Sequence, residues 1–351
     1  MDQQFQPHAK LYDYVERTRV EDRPNLVVLP GHDTYVASEC HQPGGSFKVR
    51  GAVNYLLSSG EEYVVTASAG SFAAGLGYAA RALDRRADVL VPTSTPERKI
   101  ELARSFGAHV LKYGDDYPKA LQLALARAET LSIPYVSPYD DAAVIAGARS
   151  LARDVLLHMP DTERTLYVPI GGGGLMAGAL LAAAENENTR VVGVQYAHHN
   201  SAENSVHANR LVAASGELDT ACEGSAVRQI GQIPFDIMQM YRQRIDGFVT
   251  VSKQEVGESL WHEMLLREKL VPPYSHETAY DGMPETTALV AEAGMRKWML
   301  SGRATPGAHV AVRTGGNTDQ DRERLLLDAY RSSLVKTESS HRKIFCGPHV
   351  A

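Results

Sequence analysis

The sequence predicts an α/β protein with two parallel sheets, each doubly wound by helices, and three observations carry that prediction. Short β-rich runs alternate with amphipathic helical stretches from about residue 61, the pattern of βαβ units. The alternation halts at a turn-rich patch, SPYDDAA (137–143), and then starts again, which implies two sheets rather than one. Glycine-rich turns stand at the strand ends, where open α/β sheets gather their ligands.

The first sheet is read from YVVTASA (63–69), ADVLVP (87–92) and HVLKYG (109–114). Each precedes a helical stretch, SFAAGLGYAARAL (71–83), PERKIELARSFG (96–107) and PKALQLALARAETL (118–131) in turn. The second sheet begins at RTLYVPI (164–170), which runs into GGGGLMAGALLAAAE (171–185). It continues through RVVGVQY (190–196), GFVTVS (247–252), a long helix near PETTALVAEAGMRKWML (284–300) and AHVAVRTGGN (308–317). No repeat of fixed period appears, and the closing SLVKTESSHRKIFCGPHVA reads as a loose tail. The roughly 30 residues beyond position 320 are too few for an independent core, so no regulatory domain is expected there.

Composition narrows the function. The 351 residues carry a formal net charge of −6 and no lysine/arginine block, which argues against nucleic acid as a partner, because phosphate backbones need clustered positive charge. Cys40, Cys222 and Cys346 lie far apart and form no CxxC pair, so neither a disulfide framework nor a zinc site is written here. The polar start, MDQQFQPHAKLYDYVERTRVEDRP, lacks the apolar core of a signal peptide, and no apolar run is long enough to span a membrane. A cytoplasmic protein acting on a small molecule is expected.

Four short segments carry the chemistry. GGGGLMAG (171–178) follows a strand and opens a helix; glycines there let backbone N–H groups approach an anion, and the helix dipole favours it. A dinucleotide fold would need an acidic residue about 20 positions on, but the next strand ends Gln195-Tyr196, so a single phosphate fits better. In TASAGSFAAG (66–75), Ser68, Gly70 and Ser71 sit at a helix start suited to a carboxylate, or to simple N-capping. In VRTGGN (312–317), Thr314 points its hydroxyl into the crevice at a strand's end. Lys48, in the glycine- and serine-rich turn GGSFKVRGA (44–52), supplies an amine able to form a Schiff base with an aldehyde cofactor. Pyridoxal phosphate requires one lysine, one phosphate cup and one partner for its ring nitrogen.

In their order and separations, GGSFKVRGA, SAGSFAAG, GGGGLMAG and TGGN resemble the fold-type II (tryptophan synthase β-like) pyridoxal-phosphate enzymes, most closely the threonine/serine dehydratase branch. VPTSTPERKIELARSFGAHVLKYG (91–114) is similar as well, and the resemblance covers roughly residues 35 to 320. It implies a large cofactor-binding domain (1–50 and 148–351) and a small mobile one (51–147), with the cofactor in the cleft between them. It implies that Lys48 binds the cofactor and removes the α-proton, with Phe47 and Ser71 also contacting the cofactor. Gly171, Gly172, Gly173, Gly174 and Leu175 would hold the phosphate, and Thr314 the pyridine nitrogen. Ser68, Ala69, Gly70 and Ser71 would receive the substrate carboxylate. The implied reaction is β-elimination from a β-hydroxy or β-substituted L-amino acid, giving a 2-oxo acid and ammonia. β-Replacement by the same first steps is the alternative, and a non-catalytic binding protein is a third; a homodimer is implied.

The sequence departs from the family at several points. Ser71 stands where the family usually has asparagine. Ala69 stands where racemases of the branch carry a serine acid/base, which lowers racemisation among the readings. GARSLARDV (147–155) and PPYSHETAYDG (272–282) replace the usual pocket segments, making Arg149, Tyr274, His276 and Glu277 candidates for contacting a larger or more polar side chain. Asp219 and Glu223, four apart, could offer oxygen ligands to a divalent cation or simply form a solvated face. His198 and His199 read as loop residues, with no third ligand spaced to join them.

Overall fold

The computed structural model describes residues 3–197, 199–270, 284–317 and 319–345. The chain opens with a short antiparallel pair, β1 (Arg19–Asp22) and β2 (His32–Ser38), followed by helix α1 (Lys48–Ser59). Strands β3 (Tyr63–Ala67), β4 (Arg86–Val91) and β5 (His109–Lys112) alternate with α2 (Ser71–Ala82), α3 (Glu97–Ser105) and α4 (Tyr117–Leu131). Helix α5 (Ala142–His158) leads to β6 (Arg164–Pro169), α6 (Gly174–Ala183) and β7 (Thr189–Tyr196), then α7 (Ser201–Ala208) and α8 (Gln232–Met240). The order closes with β8 (Ile245–Val251), α9 (Lys253–Leu270), α10 (Val290–Leu300), β9 (Gly307–Arg313) and α11 (Gln320–Phe345).

The strands form two sheets, as the broken alternation implies. One is three-stranded and parallel, β3-β4-β5, and the segment at Tyr135 adds one parallel bridge beside Val65. The other is six-stranded, in the order β1-β2-β9-β6-β7-β8, and parallel apart from its β1 edge. β6 is buried along its whole length because both faces of the sheet are covered. Leu166 and Val168 face a core shared with α5, α6 and α8, whereas Tyr167 faces the opposite core, under α9 and α10.

Three features differ from the sequence reading. β1 and β2 were not expected: β1 is a short edge strand with no buried residue, and the burial pattern of β2 mixes exposed and buried positions. Within the closing segment, residues 333–345 are helical rather than loose, since α11 runs on to Phe345. Lys48 is not inside a turn but is the first residue of α1; the turn lies just before it, with Gly44 and Gly45 both at positive φ.

The two sheets meet where α1 crosses α5. A Cβ on Gly147 would lie 2.3 Å from the Arg50 carbonyl oxygen and 2.6 Å from Gly51 Cα, so neither glycine has room for a side chain. Arg50, fully buried in the same turn, locks the crossing. Its guanidinium reaches Glu39 at 2.7 Å, Asp154 at 3.2 Å and Ser150 at 3.0 Å, tying α1 to the end of β2 and to α5.

Candidate active site

Four strand ends converge on one cleft of about 1260 Å³ between the sheets. β2 leads into the turn before Lys48, β3 into Ser68–Ser71, β6 into Gly171–Gly174 and β9 into Thr314. These are C-terminal ends of parallel strands, the place where open α/β sheets bind ligands. Phe47, Lys48, Ala69, Gly70 and Leu175 line the cleft together with these groups.

The turn after β9 staples the site. Ser46 and Gly315 form an isolated antiparallel bridge, Phe47 N–H donates to the Thr314 carbonyl (3.0 Å), and Glu285 N–H donates to the Gly315 carbonyl (2.8 Å). The Asn317 amide donates to the Gly44 carbonyl (3.0 Å) and to Ser71 Oγ (3.2 Å). Ser71 is therefore held by Asn317, and the amide missing at position 71 is supplied nearby by the last residue of TGGN. Behind the turn, buried Arg313 pairs with Glu263 at 2.6 Å and with Glu292.

The glycine-rich loop is shaped by contact as well as by ligand needs. A Cβ on Gly172 would fall 2.2 Å from the Tyr139 ring, and Gly173 has φ +93°, a left-handed geometry that favours glycine. α6 starts at Gly174, so its first N–H groups lack intrahelical acceptors and face the cleft. At the other side α2 starts at Ser71, directly after Gly70, whose Cβ position is open space.

Charges in the cleft fall into two groups. Glu223 is held by Lys99 and Arg322; burial alone would raise its pKa, but the Arg322 hydrogen bond and the Lys99 charge keep it below the usual carboxylate range. Lys48 and Glu285 have no such partners among the described residues. Desolvation lowers the Lys48 pKa, and it raises that of Glu285 to about 7.

Some expected contacts lie elsewhere. Arg149 does not line the cleft: it is buried between α5 and α6, paired with Glu185 and donating to the Phe5 carbonyl at 3.2 Å. The expectation that it contacts substrate is corrected on that ground. Asp219 and Glu223 do not form a cation pair either. Asp219 caps the turn Thr220–Ser225 and binds Tyr196 (3.1 Å) and Lys253 (3.0 Å), while Glu223 is taken by its two cations. Among the described residues no group of three metal-ligating side chains occurs. His199 is buried against Ser225 (3.2 Å). Tyr274, His276 and Glu277, and also His198, lie outside the described residues. Sequence reasoning missed Glu285, Asn317, Tyr139, Lys99 and Arg322 as cleft residues. Asn317 and Lys99 stood in segments already likened to the family, whereas Tyr139 and Glu285 stood in segments read only for their place in the fold.

A family model described as "Pyridoxal-phosphate dependent enzyme" matches residues 11–294. The chain belongs to that family. It is 32% identical over 339 residues to the L-threonine ammonia-lyase of Geobacter sulfurreducens, covering 94% of this chain and 79% of that one. It is 29% identical to the biosynthetic L-threonine dehydratase of Burkholderia multivorans, covering 91% of this chain and 61% of the relative. Among solved structures, the processed form of threonine deaminase isoform 2 from Solanum lycopersicum matches with a TM-score of 0.80 and 28% identity, over 91% of this chain and 89% of that chain. The chain spans about half to four-fifths of the length of such curated relatives. The fold is that of the fold-type II enzymes, with pyridoxal phosphate as the cofactor.

The residues present fit that cofactor. Thr314 Oγ1 is buried and has no hydrogen-bond partner among the described residues, an arrangement that costs stability unless a ligand supplies the partner. A desolvated lysine and a helix N-terminus ringed by glycines face the same space.

Proposed function

We propose that this protein is a pyridoxal-phosphate-dependent lyase that removes a β-hydroxyl or other β-substituent from an L-amino acid, releasing a 2-oxo acid and ammonia. The Thr314 hydroxyl, without a hydrogen-bond partner among the described residues, carries the reading toward elimination. A neutral partner leaves a ring nitrogen unprotonated, which suits elimination better than reactions that need the full electron sink. The cofactor, when bound, supplies the π-system that stabilises a carbanion at the α-carbon.

In this reading Lys48 would hold the cofactor through its aldehyde group, and its Nζ would take the α-proton. Its lowered pKa gives a larger neutral fraction near neutral pH, the form that accepts a proton. The α6 N-terminus after Gly171–Gly174 would hold the phosphate. The backbone of Ser68–Ser71 at the start of α2 orients the substrate carboxylate, as dipole and orphan N–H groups favour. Ala69 offers no second acid/base on its face, which disfavours racemisation.

The domain division is part of the proposal: residues 51–147 form the small domain and 1–50 with 148–351 the large one. The side-chain-free crossing of Gly51 and Gly147 supports that boundary. A homodimer, checked by light scattering, and a cytoplasmic setting are proposed with it; both described cysteines are free thiols, which fits a reducing compartment. The test is product analysis with a panel of β-hydroxy and β-substituted L-amino acids. A 2-oxo acid with equimolar ammonia is expected, and a β-substituted amino acid formed only when a thiol or amine is added would replace elimination by β-replacement.

A further inference from the structure

Four carboxylates line the cleft; two of them are committed to partners and a third is exposed. Glu223 is clamped by Lys99 and Arg322. Asp319 caps the start of α11, accepting from Asp321 N–H at 3.2 Å, and pairs with Arg322 at 3.5 Å. Glu101 is exposed on α3. Glu285 alone stands at the stapled turn. Its backbone is bonded to Gly315, and its Oε1 lies 3.2 Å from where a Gly315 Cβ would stand, so the absence of a side chain there makes room for the carboxyl group. Thr314 and the segment ending at Lys48 are the next neighbours along that turn. No described residue hydrogen-bonds its side chain.

We propose that the Glu285 carboxyl group is the acid that protonates the substituent leaving the β-carbon. The inference deepens the elimination reading and rests on it. The proton passes from Glu285 to the β-oxygen as the Cβ–O bond breaks; the oxygen keeps the bonding pair and departs as water. The electrons of the former Cα–H bond form the Cα=Cβ bond. Lys48, carrying the α-proton, then returns a proton to the Glu285 carboxylate, and no oxidant or reductant is consumed. Burial holds a proton on Glu285 near neutrality, opposed by the charges of Lys48, Arg322 and Lys99 and assisted by Glu223. Glu285 is the strongest charged neighbour of Lys48 and Lys48 of Glu285, although no ion pair closes between them.

The test exploits leaving groups. Chloride departs without a proton and hydroxide does not, so L-serine and L-threonine are compared with β-chloro-L-alanine. Glu285→Gln should lower the ratio of hydroxide loss to chloride loss on the order of 100-fold, the usual scale of general-acid catalysis. In the cofactor-free protein, 13C-carboxyl glutamate NMR should show a resonance titrating near neutrality that is missing from Glu285→Gln. An unchanged ratio, or the absence of such a resonance, overturns the proposal. If Glu285→Gln fails to take up cofactor, Glu285→Asp decides: it should restore the ratio, and a ratio still depressed overturns the assignment. A wild type that forms no visible cofactor band at all would instead sink the lyase reading beneath it.

Discussion

Arg50 and Lys48 are cations two residues apart on α1, and they are handled in opposite ways. Arg50 is wholly buried, and its guanidinium is matched by Glu39, Asp154, Ser150 and Thr18. Lys48 is half-buried on the cleft wall, and neither it nor Glu285 is paired with any described residue. Removing one partner of a matched buried group leaves an unpaired charge, so the Arg50 cluster reads as scaffold. A desolvated amine without a partner is a weak support for the fold, and it is poised for chemistry. The same contrast runs along β9. His309, at one end, is satisfied by His32 (2.9 Å), Tyr167 (3.1 Å) and the Thr305 carbonyl (3.1 Å); the Thr314 hydroxyl, just past the other end, has no hydrogen-bond partner among the described residues.

Substitutions can break that contrast. Lys48→Ala should lower elimination on the order of 10³-fold while leaving the melting temperature of the cofactor-free protein nearly unchanged, as read by calorimetry. A large loss of stability would place Lys48 with the scaffold. Arg50→Met should do the reverse in kind, costing about 3–5 kcal/mol of stability by leaving Glu39 without its cation in the core; denaturant melts measure it, and an unchanged midpoint would dissolve the distinction.

Acid sharpens it. Burial, the main cause, lowers the His309 pKa to about 4, whereas an unfolded histidine titrates near 6.5. Below about pH 6.5 the unfolded chain therefore binds a proton that the folded chain does not. The His309 contribution is complete above that value and falls by roughly 3 kcal/mol as pH drops toward 4. Denaturant melts from pH 7 to 4, wild type beside His309→Gln, should show the slope flatten in the variant. The smallest effect is expected at Thr314. Thr314→Val should weaken cofactor binding about tenfold, the scale of one neutral hydrogen bond, with Thr314→Ser restoring it; equal binding by the valine variant would show that the hydroxyl has no partner in the loaded protein.

What the sequence made legible follows from the range of each interaction. β3 to β9 announce themselves through local periodicity and flanking glycines, and the four cleft segments stand at junctions that local patterns reveal. β1 pairs only with β2, and β2 joins the large sheet through β9, 275 residues on, while its own pattern is mixed. Arg149 illustrates the converse error. Its unusual local sequence suggested a pocket residue, but its Glu185 partner lies just beyond the end of α6 and could not be read beforehand. Glu285 was hidden for a related reason: its environment is made by Gly315 and Lys48, distant in sequence. Asn317, by contrast, was in view within TGGN. What remained unseen was that its amide would reach Ser71.

Two lysines line the cleft, and Lys48 rather than Lys99 is the one proposed to bond the cofactor. The protein is incubated with pyridoxal phosphate, reduced with borohydride, digested and sequenced by mass spectrometry. The account predicts the cofactor fixed on Lys48 alone, with a visible absorption band that is absent in Lys48→Ala. Label on Lys99, or no label under cofactor saturation, would contradict it.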